Sequence, residues 1–96
     1  MMVIIAYDVN TTTPEGEKRL RKVAKICMDY GQRVQNSLFE CLLNESQFVL
    51  LKNSLLNVID AKMDSVRFYF LGNNWNRHVE HIGVYIAHNF EDELII

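Results

Sequence analysis

The chain opens on an unbroken apolar run, Met1 to Tyr7, rich in β-branched residues and closed by a carboxylate, Asp8. Such a run predicts a strand buried on both faces. Thr13-Pro14 then offers a helix cap and a proline at the first helical position, where its missing N–H costs nothing. From Glu15 to Tyr30 the residues Leu20, Val23, Ala24, Cys27 and Tyr30 recur at three- and four-residue spacing, the mark of an amphipathic helix, and Gly31 is placed for a left-handed stop. Residues 31 to 43, GQRVQNSLFECLL, begin polar and turn apolar. Either one long strand runs through, or a short strand from Arg33 to Gln35 breaks near Asn36 and a second runs from Ser37 to Leu43. Asn44 and Gln47 form a helix start, and Phe48, Leu51, Leu55, Val58 and Ile59 make a core stripe reaching about Asp60. After a loop, Ala61 to Asp64, the segment Ser65 to Leu71 alternates Val66, Phe68 and Phe70 against Arg67, Tyr69 and Leu71, a strand pattern. A last short strand is expected from Ile82 to Ile86.

The order β-α-β(β)-α-β-β with two one-sided amphipathic helices predicts an α+β, ferredoxin-like domain over residues 1–96. It reads as βαββαβ plus a C-terminal strand, with both helices on one face of an antiparallel sheet. The other face is left without cover. Aromatic residues on it, with Tyr69 and Phe39 as candidates, predict a homodimer joined through the sheets. A two-fold axis there brings two copies of Asp8 towards each other.

Composition narrows the classes. A hydrophobic fraction of 49% with 23% charge belongs to a soluble globule. The seven-residue apolar run is too short to span a bilayer, and no charged leader with a cleavage site precedes it, so a cytoplasmic protein without membrane contact is expected. Cys27 and Cys41 stand apart, each in an apolar pattern, and read as buried thiols. His78 and His81 lie three apart in a region that reads as loop or strand, without an evident third ligand, so no histidine metal site is expected. Net charge is −2, yet six of the ten basic residues lie between Lys18 and Arg33. Glu15, Glu17 and Asp29 can reach Arg19, Arg21 and Lys25 at four-residue spacing, whereas Lys18 and Lys22 keep no such partner. The helix therefore carries a basic face suited to a phosphate backbone. Asp8, fixed by a rigid strand where the core stops, is the first candidate for chemistry.

The start V-I-I-A-Y-D-V, the helix K-R-L-R-K-V-A-K, the segment G-Q-R-V-Q-N-S-L-F-E-C and the later F-L-G-N-N-W together resemble the CRISPR-associated protein 2 family, in particular its subtype I-C branch. The resemblance covers nearly the whole chain. It implies a ferredoxin-like dimer whose last strand crosses onto the partner, and it implies the strand break near Asn36. It also implies a magnesium-dependent endonuclease acting on RNA or duplex DNA, with Asp8 as the catalytic, metal-binding residue and Tyr7 beside it. The R-x-Q-x-S-x-F segment carries Arg33, Ser37 and Phe39 into the nucleic-acid site, and Arg19, Arg21 and Lys22 become backbone contacts.

Two functional readings follow. In the first, two Asp8 carboxylates hold Mg²⁺, with Mn²⁺ able to substitute, and the dimer hydrolyses phosphodiester bonds in duplex DNA or single-stranded RNA. In the second, the dimer is a non-catalytic scaffold for spacer acquisition: helix bases grip duplex DNA, and the acidic tail, Glu91-Asp92-Glu93, docks an integrase subunit. A small-molecule regulatory module of the same shape would explain neither the basic face nor Asp8.

Overall fold

The structure is a computed structural model and describes residues 1–72 and 78–84, with His78 by its backbone alone. Seven elements follow one another: β1 (Met2–Asp8), α1 (Pro14–Tyr30), β2 (Gln32–Gln35), β3 (Leu38–Leu42), α2 (Glu45–Leu56), β4 (Ser65–Leu71) and β5 (His78–Gly83). The strands form one antiparallel sheet in the order β2-β3-β1-β4-β5. This is the ferredoxin-like arrangement expected, with β1 at the centre and β5 added outside β4.

Local chemistry sets the ends. The Thr13 hydroxyl accepts from the Gly16 N–H at 3.0 Å, with Pro14 opening α1. Asn44 and Gln47 satisfy each other's backbone N–H groups at 2.8 and 2.9 Å, a complete capping box. Two expectations need correction. Gly31 does not end α1 in a left-handed conformation: its φ of −161° is extended. Glycine is needed there for close approach, because a Cβ would collide with the Glu40 carbonyl and the Cys41 Sγ. The second helix stops at Leu56, earlier than its apolar stripe implied, because the chain tightens after it. Val58 and Ile59 both donate to the Leu55 carbonyl at 3.0 Å, and this turn still packs their side chains on the core.

Of the two alternatives for residues 31 to 43, the structure takes the hairpin. Register shifts between Arg33 and Gln35, so that Val34 is an extra residue in β2, and Asn36-Ser37 forms the turn. The last strand runs from His78 to Gly83, four residues ahead of the expected Ile82 to Ile86, because its register places Ile82 opposite Val66, Glu80 opposite Phe68 and His78 opposite Phe70. That face is half polar, and Glu80 is held there by Lys52 of α2 at 2.8 Å, which is why hydrophobicity alone mislocated the strand. Residues 78–83 pair with β4 of their own chain; the crossing of the last strand onto a partner, implied by the resemblance, falls on the chain beyond them. Trp75, Tyr85, Ile86 and the C-terminal segment, with the docking expected of it, lie outside the described residues.

The core lies between the helices and one sheet face. Val3, Ile5 and Tyr7 of β1, Phe39 and Cys41 of β3, and Val66 and Phe68 of β4 meet Val23 and Cys27 of α1 and Phe48, Leu51 and Leu55 of α2. Both thiols are buried and free; burial, and for Cys27 also Cys41 nearby, pushes them up to about 12 and about 11, so neither is a nucleophile near neutrality. Alternation sends Met2, Ile4, Ala6 and Asp8, Leu38, Glu40 and Leu42, and Arg67, Tyr69 and Leu71 to the other face, which neither helix covers. Leu42 is 75% exposed and Leu71 49%. Tyr69 is on this open face as expected. Phe39 is not: it points the opposite way and is fully buried.

Candidate active site and nucleic-acid interface

Asp8 ends β1 as an exposed carboxylate, on the open face and directly opposite Ser65 of β4. The chain is held on either side of it. Tyr7 donates its backbone N–H to the Ser37 carbonyl at 3.1 Å and its hydroxyl to the Asn36 carbonyl at 3.2 Å. Beyond Asp8, Val9 enters the core, and Asn10 donates its N–H to Asp64 at 3.0 Å.

Tyr7, Phe39 and Arg33 form a layered group at the β2–β3 hairpin. The rings of Tyr7 and Phe39 are stacked at 6.0 Å, and the Arg33 guanidinium lies 5.2 Å from the Phe39 centroid. Burial raises the Tyr7 pKa, nearby Cys27 adds to this, and Arg33 opposes it; the phenol stays protonated and is no general base at neutral pH. Phe39 is therefore a packing residue in this protomer, since a fully buried ring has no face left for a base, whereas Tyr7 packs on it and still reaches the surface beside the hairpin turn. Arg33 remains exposed, and an open groove beside it is lined by Ala6, Tyr7, Gln35, Asn36, Ser37 and Leu38. Ser37 and its neighbours in the turn thus face solvent next to the strand that ends in Asp8.

The expected basic face divides. Lys18, Arg21, Lys22 and Lys25 are exposed on α1. Arg19 is not among them. Its Nε donates to Asp64 Oδ2 at 2.8 Å and its outer nitrogen to Oδ1 at 3.2 Å, with 17% of its side chain accessible and none of that of Asp64. Arg19 is thus drawn inward by a buried carboxylate and is withdrawn as a backbone contact. Among the described residues the other ion pair is Lys52–Glu80, so the four-spaced pairs foreseen along α1 are not closed.

No sequence pattern singles out Asp64, the last residue of the loop ahead of β4. Burial pushes its pKa up, but Arg19 and the N–H groups of Asp60 and Asn10 together outweigh burial and leave it lowered. A lowered carboxylate pKa stabilises the fold above the ordinary carboxylate range, and that stability is lost as pH falls through the folded-state value. The stability gap between the wild type and Asp64→Asn, measured by urea unfolding, should therefore be wide at pH 7 and close progressively below about pH 4.

His81 of β5 lies opposite Arg67 of β4. Arg67 lies 2.9 Å from its Nδ1, and Nε2 is 2.8 Å from the Val84 carbonyl, so both nitrogens are engaged. Among the described residues no three His, Cys, Asp or Glu side chains gather to hold a metal. A cation at Asp8 would find a hard oxygen ligand of the right class for magnesium, but among the described residues of one protomer no cluster of such ligands surrounds it.

Comparison with known proteins bears on this geometry. The family described as CRISPR associated protein Cas2 matches residues 1–79. A CRISPR-associated endoribonuclease Cas2 of Chlorobaculum tepidum is 53% identical over 96 residues, covering all of both chains. The chain belongs to the Cas2 family. A CRISPR-associated endonuclease Cas2 of Halalkalibacterium halodurans is 54% identical over 99% of each chain. Among solved structures, that of Streptococcus pyogenes Cas2 is 63% identical, with a TM-score of 0.71 over 78% of this chain and 90% of that one. These likenesses support the fold and the family; the roles of single residues rest on the geometry above.

Proposed function

We propose that this protein is a CRISPR-associated endonuclease that hydrolyses phosphodiester bonds, its active centre forming where the Asp8 carboxylates of two copies meet. The observation that carries this reading is the placement of Asp8: exposed, at the end of the central strand, on the sheet face the helices leave bare. That face is rich in apolar side chains, including Ile4, Leu38, Leu42, Tyr69 and Leu71, and a homodimer closes it. Two related chains are called an endoribonuclease and an endonuclease, which supports nuclease chemistry and leaves RNA and DNA both in view.

Mg²⁺, with Mn²⁺ able to replace it, is the cofactor proposed, held by paired Asp8 residues. When bound, such an ion supplies Lewis acidity at a phosphate and acidifies a bound water. The protein's own groups orient. Asp8 fixes the ion's place, Arg33 steadies the phosphate backbone, and the polar turn of Asn36 and Ser37 borders the strand running in. Labelled single-stranded RNA and duplex DNA, each with Mg²⁺, Mn²⁺ or EDTA, test this: metal-dependent cleavage of one or both is expected.

A second reading is favoured by the four exposed bases of α1. In a dimer they give a paired basic surface that grips duplex DNA without reading sequence, as a cytoplasmic scaffold for an integrase subunit in spacer acquisition would need. The joint substitution Arg21→Ala and Lys22→Ala should weaken duplex binding and reduce the log–log salt slope by about two, roughly one for each phosphate that no longer meets a cation. Filter binding from 50 to 200 mM salt checks it. Firm salt-sensitive binding without any cleavage would leave the scaffold as the function.

A further inference from the structure

The two carboxylates near the end of β1 have opposite surroundings. Asp8 is open to solvent, whereas Asp64 is fully buried and uses all its acceptor capacity. Its Oδ1 accepts from Asn10 N–H at 3.0 Å and from Arg19 at 3.2 Å; its Oδ2 accepts from Arg19 Nε at 2.8 Å and from Asp60 N–H at 2.9 Å. Four donors saturate a carboxylate. The Asp64 backbone carbonyl also takes the Val84 N–H at 2.9 Å. Gly83 permits that last bond, since its φ of 101° suits glycine and a Cβ there would strike the same carbonyl.

These bonds join the loop after β1, the body of α1, the turn before β4 and the end of β5, and they converge beside Asp8. Asn10 is two residues beyond Asp8, and Ser65, which follows Asp64, is the residue paired opposite it. A buried charge is a costly way to tie a loop unless its geometry is needed. We propose that Asp64 is a positioning residue for the nuclease centre, acting with Arg19 to fix the backbone on both sides of Asp8. The inference rests on the nuclease reading above. An arginine on the basic helix thereby acquires a task other than gripping nucleic acid: its fork meets both carboxylate oxygens, which a lysine ammonium cannot reproduce.

The test compares wild type, Asp64→Asn, Arg19→Lys and Leu55→Val, the last a core change on α2 that lowers stability while removing none of these hydrogen bonds. Each is assayed at a temperature where circular dichroism finds it fully folded. Two readings are taken: kcat and KM on the RNA or DNA that wild type cleaves, and Mn²⁺ affinity from paramagnetic broadening of the Asp8 and Ser65 amide signals. Expected for Asp64→Asn and Arg19→Lys is a fall in kcat of at least tenfold with KM within twofold, and Mn²⁺ affinity weakened at least fivefold, while Leu55→Val follows wild type in both. Values of kcat and Mn²⁺ affinity matching those of Leu55→Val would reduce Asp64 to a structural group and overturn the proposal. A raised KM at unchanged kcat would overturn it too, by returning Arg19 to substrate contact. If wild type cleaves nothing in an Asp8-dependent way, the nuclease reading fails, and the Mn²⁺ reading alone decides the positioning role. Wild-type signals that Mn²⁺ leaves sharp, with no cleavage, sink both.

Discussion

Asp8→Asn should abolish metal-dependent cleavage, lowering it by at least about 10²-fold, while leaving the fold and duplex binding nearly unchanged. The magnitude is that of losing one group that stabilises charge in a transition state. Stability should barely move because Asp8 is exposed, and substitutions at such sites usually stay within about 0.5 kcal/mol. The same loss should follow from a change that never touches Asp8. Tyr69 stands on the open face opposite Ile4, in the row next to Ala6 and Arg67. Tyr69→Glu places a charge where two sheets would meet and places its copy against it. Light scattering should then report a monomer, and cleavage should fall as far as in Asp8→Asn, because the described residues of one protomer gather no group of acidic or other ligands that could hold the ion. A monomer that still cleaves at the wild-type rate would refute the shared centre, and an active Asp8→Asn protein would refute the nuclease site altogether.

Sequence made much of this legible where the governing interactions are local. Caps at Thr13 and Asn44, the helical stripes and the alternation of Ser65 to Leu71 all depend on neighbours a few residues away, and the structure has each of them. Where it misled, the cause is a distant partner or a parity. Phe39 is expected on the uncovered face as an aromatic candidate, yet Glu40 marks the solvent side of that strand, so Phe39 and Cys41 have to point inward. The bulge at Val34 lies in the partner strand and hid the register from pattern alone. Arg19 also had a local signal: it lies four residues before Val23 and eight before Cys27, on the stripe that α1 buries. What no pattern could supply was Asp64, 45 residues further on, which turns that arginine from a surface base into a buried tie. A carboxylate ahead of a strand looks like any turn residue until the fold delivers four donors to it.

The layered group around Phe39 gives the second large effect, and one that separates packing from binding. Phe39→Ala should destabilise the domain by about 3–5 kcal/mol, the usual cost of emptying a buried phenylalanine site. At about 4–8 °C per kcal/mol for a domain of this size, the melting temperature should drop by more than about 12 °C. The loss is of this order because the ring is fully buried, stacks on Tyr7 and lies under Arg33, so its removal leaves a void next to a tyrosine that also anchors the hairpin turn. Inactivity of Phe39→Ala would then be no proof of contact with nucleic acid. Phe39→Leu is the informative partner: it keeps most of the volume and should cost clearly less than Phe39→Ala. Assayed well below its melting temperature, it should bind RNA and duplex DNA with wild-type affinity and salt slope. A stacking residue would behave otherwise, since losing a base stack typically costs about 1–3 kcal/mol of binding. Wild-type stability with binding weakened by that amount would return Phe39 to the nucleic-acid surface; the reverse pattern follows from its burial.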